Sequence, residues 1–198
     1  SLSDISGLSN WNTYSATRMT NMFYNCRSLS DITPLSGWDV SSVSKMDRMF
    51  YNCVSLNNVD GLSKWNTDAL SLIDDMFYNS GITNVDGLSN WNISGIKQLW
   101  RVFEYSKNLT DINGLSGWDF SNVTDIRALF DGTSIKDGSV AKNWNLSNVS
   151  YYGNQELFPC GLEKVGIPSV KNGALSLISR GMDSWWKDNF GDTIITED

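Results

Sequence analysis

The chain has 198 residues and a net charge of −7, with no histidine and a hydrophobic content of 40%. The acidic balance argues against nucleic acid and anionic membrane as partners, because both are bound through basic surfaces. The lack of histidine excludes catalytic triads that need an imidazole base and removes the commonest transition-metal ligand. The hydrophobic content favours a continuous core over disorder.

The first seven residues, SLSDISG, are similar to SLSDITP at residues 28–34. This similarity predicts that the chain starts inside a repeat and that the array continues upstream. The chain has no initial Met and no signal peptide, which favours an excised piece whose targeting and anchoring segments lie elsewhere.

A repeat of 26 or 27 residues then runs through most of the chain, and a fixed period of this length is typical of repeat architectures. In each of the first five units a phenylalanine follows the repeat tryptophan by twelve residues, and in all six units an Asn or Asp follows this tryptophan directly. The tryptophan column and the phenylalanine column predict the buried core of a repeat array. The tryptophans are Trp11, Trp38, Trp65, Trp91, Trp118 and Trp144, and the phenylalanines are Phe23, Phe50, Phe77, Phe103 and Phe130.

The second unit, residues 35–61, shows what one repeat contains. Its apolar residues Val43, Met46, Met49, Phe50 and Cys53 follow a helical spacing, which predicts a short helix. Such a helix is too short to be stable alone and depends on packing.

Each unit continues with two apolar residues three positions apart, such as Leu56 and Val59, followed by Gly or Pro. Their short length and β-branched content predict a strand, so that stacked units form a parallel sheet with helices on the opposite side. The Asx residue after each tryptophan predicts a local turn. The sequence thus indicates an α/β repeat solenoid with short parallel strands and short helices. The alternative is an all-β right-handed solenoid with a turn at the Met–Phe segment.

The sixth unit keeps Trp144, Asn145 and Val149 but lacks the phenylalanine, and the pattern is gone from about Gly161. We therefore expect a solenoid of about six repeats over residues 1–160. Residues 161–198, which include Trp185 and Trp186, are expected to form a C-terminal cap or the start of a linker.

The repeat resembles a known family through three motifs: W-[DN]-x-S-x-V at residues 38–43, M-x-x-M-F-x-x-C at 46–53, and S-L-x-x-[VI] at 55–59. It is similar to the repeat of about 26 residues in mycoplasma surface lipoproteins and bacterial wall-anchored proteins, which is related to BspA-like leucine-rich repeats. The resemblance covers about residues 1–150. It implies a leucine-rich-repeat-like fold, an extracellular location at the cell surface or wall, and adhesion or protein interaction.

Two surface columns are candidate binding sites. Tyrosine and asparagine follow the buried phenylalanine in the first three units, and aromatic residues are frequent anchors in interfaces. These residues are Tyr24, Tyr51, Tyr78, Asn25, Asn52 and Asn79. Acidic and amide residues flank the predicted strands, where repeat proteins present extended binding faces. The acidic ones are Asp31, Asp60, Asp86 and Asp111. For both columns the alternative is an ordinary surface role.

Cys26 and Cys53 occupy equivalent positions in neighbouring units. Ser80, Ser106 and Thr133 fill the same column, which favours a small buried residue over a disulfide. The chain lacks a paired-cysteine zinc motif, the calcium-binding nonapeptide and the EF-hand pattern, so we expect no metal and no cofactor.

The acidic residues are spread along the repeat, with no singular cluster, and the nucleotide-binding and nucleophile-elbow motifs are absent. We therefore expect a non-enzymatic, monomeric module without a membrane-inserted segment here. Its expected partner is a surface protein or glycan of a host or neighbouring cell. The alternatives are a rigid stalk that presents another domain and a carbohydrate-binding module.

Overall fold

The structure, a computed structural model, describes residues 2–150, 157 and 162–165. The described chain consists mostly of turns and short 3₁₀ helices, with one two-stranded parallel sheet. The 3₁₀ helices are Ser6–Leu8, Thr33–Leu35, Asp60–Leu62, Asp86–Leu88, Asn113–Leu115 and Ser139–Asn143. Strand β1, Asp137–Gly138, pairs with β2, Lys164–Val165. Most of the predicted cap, including Trp185 and Trp186, lies outside the described residues. Its described residues 162–165 contact the repeats through β2, the buried side chain of Leu162 and an ion pair of Glu163 with Lys136.

Successive units are joined side by side through their tryptophans. In the second to sixth units the indole N–H donates a hydrogen bond of 2.9–3.2 Å to the carbonyl of the leucine that opens the preceding unit. The indole rings of Trp11 and Trp38 stack with centroids 6.2 Å apart, and those of Trp65 and Trp91 do the same. From Trp38 to Trp144 the indole is buried and its polar edge is satisfied, as a buried Trp requires. Trp11 does not follow the predicted burial of this column, because its indole stacks on that of Trp38 but is 54% exposed. Donor and acceptor pairs are Trp38–Leu8, Trp65–Leu35, Trp91–Leu62, Trp118–Leu88 and Trp144–Leu115.

The five phenylalanines form a second buried column. Neighbouring rings lie 5.5–5.7 Å apart with interplanar angles of 3–8°, and each ring is at most 2% exposed. This nearly parallel stack extends from Phe23 to Phe130. Like residues therefore lie over like residues along five units, which fixes the register between units.

The predicted helix at the Met–Phe segment is wrong: residues 43–53 contain overlapping tight turns. We call residues 19–26, 46–53, 73–80, 99–106 and 126–133 the turn segments. Two residues in each turn segment have positive φ, between 48° and 68°, which an α-helix does not allow. Consecutive turns place apolar residues inward at spacings of three and four, so the sequence pattern imitates a helical stripe. The turn at this place is the feature that the all-β alternative predicted.

Backbone amides of the turn segments alternate between two uses. In the second unit the amides of Met46, Arg48, Phe50 and Asn52 donate to carbonyls of the third unit. The amides between them, for example that of Tyr51, donate to the carbonyl three residues earlier and close the turns. Both sets of bonds satisfy backbone groups that burial would otherwise leave without partners.

The predicted strands at the Leu56–Val59 position of each unit are also wrong, since the segment forms no strand and Val59, with ψ at 21°, is not extended. The expected continuous sheet is replaced by isolated parallel bridges elsewhere, between Arg18 and Lys45, Lys45 and Leu72, and Gln98 and Asp125. The 3₁₀ helix that follows Val59 leaves too few extended residues for a ladder. The same observation excludes the many strands of the all-β alternative from the described residues.

The predicted turn after each tryptophan is confirmed in all six units. The side-chain oxygen of the Asn or Asp accepts a hydrogen bond of 2.9–3.2 Å from the amide two residues later, as in Asp39 to Ser41. This interaction lowers the pKa of Asp39 and Asp119 through hydrogen bonds from Ser41 and Ser121. A short Asx side chain is required there because it reaches its own nearby backbone.

The contact between 3₁₀ helices can be tested with two glycines of one column. A Cβ at Gly87 would lie 2.1 Å from the carbonyl oxygen of Val59, whereas a Cβ at Gly7 meets nothing within 4 Å. We expect Gly87→Ala to lower the free energy of unfolding by about 1–3 kcal/mol, because backbone must move. Gly7→Ala is the matched control, with an expected change below about 0.5 kcal/mol. Equal effects of the two changes in urea unfolding would contradict the stacking described here.

Candidate functional site: the outer face of the turn segments

Three tyrosines stack on the outer face of the first three turn segments. The rings of Tyr24 and Tyr51 lie 4.8 Å apart at 16°, and those of Tyr51 and Tyr78 lie 4.5 Å apart at 3°. Tyr24 is 43% exposed, and the other two are half-buried. Burial raises the pKa of Tyr78 to about 12. The faces of the rings cover one another, so that their edges point toward solvent.

The row of stacked side chains continues past Tyr78, the last member of the tyrosine column that the sequence predicts. The Arg101 guanidinium lies 5.5 Å from the Tyr78 ring and 4.4 Å from the Trp100 ring. The Arg127 guanidinium, which belongs to the next unit, lies 5.2 Å from the same Trp100 ring. These distances are those of cation–π contacts. We call Tyr24, Tyr51, Tyr78, Arg101, Trp100 and Arg127 the π stripe, and it spans five units.

The three asparagines that the sequence analysis gave as candidate binding residues form a hydrogen-bonded ladder beside the stripe. The Asn52 side-chain nitrogen donates to Asn25 at 2.8 Å, and that of Asn79 donates to Asn52 at 2.7 Å. All three have positive φ, which asparagine tolerates better than most residues. Tyr105 and Gly132 take this place in the next two units. The structure therefore gives these asparagines a clear role in holding the turns.

Carboxylates hold the arginines of the face in place. Asp75 is fully buried and pairs with Arg48 at 3.0 Å and with Arg101 at 2.8 Å. Asp125, also buried, binds the Arg127 guanidinium at 2.7 Å. A buried carboxylate requires such a partner. The pairs of Arg101 and Arg127 hold these two guanidinium groups against the Trp100 ring.

A groove of about 110 Å³ lies beside the stripe. Its lining residues are Asp47, Arg48, Leu72, Asp74, Asp75 and Trp100. Burial, together with the neighbouring carboxylates of Asp75, Asp125 and Asp47, raises the pKa of Asp74 to about 6, although a hydrogen bond from the Trp100 amide acts in the opposite direction. The groove therefore combines an aromatic wall, an aliphatic side chain and an unfavourable excess of negative charge.

The predicted acidic column proves to be two columns with different environments. Asp31 and Asp111 each accept a 2.8 Å hydrogen bond from an amide two residues later, and this lowers the pKa of Asp31. Asp60 and Asp86 are the exposed first residues of 3₁₀ helices. The structure does not bring these four residues together with the tyrosines as one site.

The cysteine column is half-buried at Cys26 and buried from Cys53 onward. Cys26 and Cys53 are free thiols, and the Cys53 thiol lies 3.2 Å from the Phe23 carbonyl as a donor. Burial raises the pKa of Cys53 to about 12. In later units the Ser106 hydroxyl makes the equivalent 2.7 Å bond to Phe77. The column is a set of small side chains that satisfy buried carbonyls.

Among the described residues, no three acidic or cysteine side chains converge as metal ligands. Residues 2–150, 157 and 162–165 also contain no helix with the length and apolarity to cross a membrane.

The sequence reading missed Asp47, Asp74, Trp100, Arg101 and Arg127. A signal was present, because Trp100 and Arg127 stand one residue after the buried Leu99 and Ile126, in the same column as Asp74. This column changes from acidic to aromatic to basic along the array. The reading followed the tyrosine column alone and therefore stopped at Glu104, which is buried against Arg101.

These features are those of a repeat protein whose stacked units present one varied outer face. The chain belongs to the family described as Mycoplasma protein of unknown function, DUF285, whose sequence model matches residues 2–111 and 80–158. A comparison with curated proteins gave no match. Among solved structures, an internalin from Listeria monocytogenes is similar at 14% identity, with 89% of this chain and 68% of that chain covered. Its TM-score of 0.21 is too low to support an argument.

The raised pKa of Asp74 predicts an unusual pH dependence. A carboxyl that prefers to stay protonated when folded loses stability as pH rises from about 4 to about 6, because the folded state binds more protons than the unfolded chain. We expect Asp74→Asn to match the native chain near pH 4 and to exceed its free energy of unfolding at pH 7 by on the order of 1–2 kcal/mol. Urea unfolding at both pH values measures this, and a pH-independent difference would show that the pKa is not raised.

Proposed function

We propose that this chain is a non-enzymatic module of a bacterial cell-surface protein that binds another protein through the π stripe. In this proposal residues 1–160 form a leucine-rich-repeat-like solenoid of about six units, and residues 161–198 cap it or begin a linker. The observation that carries the proposal is the row of stacked planar groups from Tyr24 to Arg127, along the outer face of five units.

The stripe has the composition of an interaction surface. Tyr, Trp and Arg are the residues that most often carry binding energy in protein interfaces. Stacking and ion pairs already restrict these side chains, so little conformational entropy is lost when a partner orders them.

Two alternatives receive less support. A carbohydrate site needs exposed ring faces for stacking, yet the tyrosine faces cover one another at 4.5–4.8 Å. A rigid stalk would need only a uniform polar face, whereas the column of Asp47, Asp74, Trp100 and Arg127 changes its chemistry from unit to unit.

The proposal also includes the absence of enzymatic activity, the location at the cell surface and the kind of partner. The raised pKa of Asp74 resembles a feature of active sites, but the neighbouring carboxylates of Asp47 and Asp75 are engaged by the Thr20 hydroxyl and by two arginines. Location at the cell surface rests on the resemblance to mycoplasma lipoprotein repeats, and attachment through segments outside this chain is part of the proposal. The proposed partner is a host or neighbouring-cell surface protein.

The test is a triple variant, Tyr24→Ala, Tyr51→Ala and Tyr78→Ala. The fragment is immobilised and probed with extracellular matrix proteins, intact host cells and a glycan panel. We expect saturable binding to a protein or cell surface, and at least about a tenfold loss of affinity in the triple variant because the stripe supplies the anchoring area. Saturable binding that the triple variant retains would contradict the proposal.

Two controls separate folding from binding. Tyr14→Ala removes a tyrosine that is 67% exposed and lies outside the stripe, so its affinity should match the native chain. The triple change to phenylalanine keeps the stack and removes only hydroxyl groups. Circular dichroism and urea unfolding confirm that each variant folds. Binding to the glycan panel alone would support the carbohydrate alternative, and no binding at all would support the stalk.

A further inference from the structure

We propose that the partner presents a basic segment to this face, and that a lysine or arginine side chain of the segment enters the groove between Asp47, Asp74 and Trp100. This inference rests on the proposed function and names the chemistry of its partner. Three features of the groove carry it: its charge, its walls and its size.

The charge of the groove is not balanced within the chain. Arg48 and Arg101 both pair with Asp75, while Arg127 pairs with Asp125. In the described part of the chain, neither Asp47 nor Asp74 forms an ion pair. Asp47 accepts a 2.7 Å hydrogen bond from the Thr20 hydroxyl, and Asp74 accepts one of 3.3 Å from the Trp100 amide. Both carboxylates therefore keep oxygen lone pairs for an external donor.

The protein's own energetics show that negative charge is in excess here. Three neighbouring carboxylates raise the pKa of Asp74 in addition to burial. A cation placed among them would reverse this effect, since an opposite charge favours the ionised form. An anionic ligand would meet the same repulsion that Asp74 meets.

The walls match a long basic side chain better than a simple ion. Leu72 and Trp100 provide apolar surface for a methylene stem, and lysine and arginine commonly bury their stems in this way. The Trp100 indole already binds guanidinium groups of this chain at 4.4 and 5.2 Å, so its ring system accepts cations. The volume of about 110 Å³ equals the space of about three to four water molecules and suits one side chain.

The π stripe gives the rest of the segment a place to lie. Tyr78 contacts Arg101, and Arg101 contacts Trp100, which lines the groove. The row of tyrosines is therefore adjacent to the groove. A segment that inserts its basic side chain beside Trp100 can then lie across the exposed tyrosine edges. Anchor and stripe together form one interface, with the charged pocket as its specific point.

The experiment uses the whole chain and three synthetic peptides with serine alternating with lysine, glutamate or glutamine. Isothermal titration calorimetry is run at low and moderate salt with the native chain and the double variant Asp47→Asn, Asp74→Asn. We expect the lysine peptide alone to bind, and about a tenfold or greater increase of its Kd in the double variant. Amide replacement keeps the hydrogen bonds from Thr20 and Trp100, so that the change removes charge and little else.

The matched control is the double variant Asp39→Asn, Asp119→Asn, which removes the same charge elsewhere. Asparagine already fills this column at Asn12, Asn66 and Asn92, where it makes the same turn. We expect its Kd for the lysine peptide to change less than about twofold. Equal losses in both double variants would reduce the effect to net charge and overturn the inference, as would the absence of saturable binding or binding of the glutamate peptide.

A protein captured through the tyrosine test separates the two proposals. Loss of its binding in both the tyrosine variant and the groove variant supports both. Loss in the tyrosine variant alone overturns the basic partner and leaves the π stripe as the binding face. Retention in the tyrosine variant overturns the proposed function itself, and the groove proposal fails with it.

Discussion

The alternating use of backbone amides in the turn segments is the interaction on which the rest of the structure depends. One amide closes a turn within its own unit, and the next donates to the following unit, as Tyr51 and Asn52 do. This pattern needs two residues with positive φ in each turn segment, which asparagine or glycine supplies at several of these positions. Neighbouring units are thus held in one register without a continuous β-sheet.

Register then determines both the core and the surface. Buried columns become stacks of like residues, seen in the phenylalanines and in the indole hydrogen bonds to leucine carbonyls. The same register brings Tyr24, Tyr51 and Tyr78 face to face, and it places the buried Asp75 between Arg48 and Arg101. The candidate binding face is therefore a direct consequence of stacking, and substitutions in the core should affect it only through the fold.

The residue columns of the repeat could be predicted from the sequence, because each position of the repeat occurs in several units and can be compared among them. The aromatic columns, the turn after tryptophan and the outward tyrosines follow from periodicity and side-chain chemistry. Local structure was not predictable in the same way, since overlapping turns and a helix share spacings of three and four, and only the φ of residues such as Arg48 separates them. The groove escaped prediction because it joins Asp47, Asp74 and Trp100 from three neighbouring units, a contact that depends on the register.

Hydrogen exchange of the backbone N–H groups of Asn25, Asn52 and Asn79 is the most direct test of the alternating pattern. Each lies on the outer face, yet each donates a 2.8 Å hydrogen bond to the next unit. The structure predicts that all three exchange slowly, with protection close to that of global unfolding, because opening them requires separation of two units. Exchange near the intrinsic rate of an unfolded chain would mean that the turns are not bonded between units and would contradict this account.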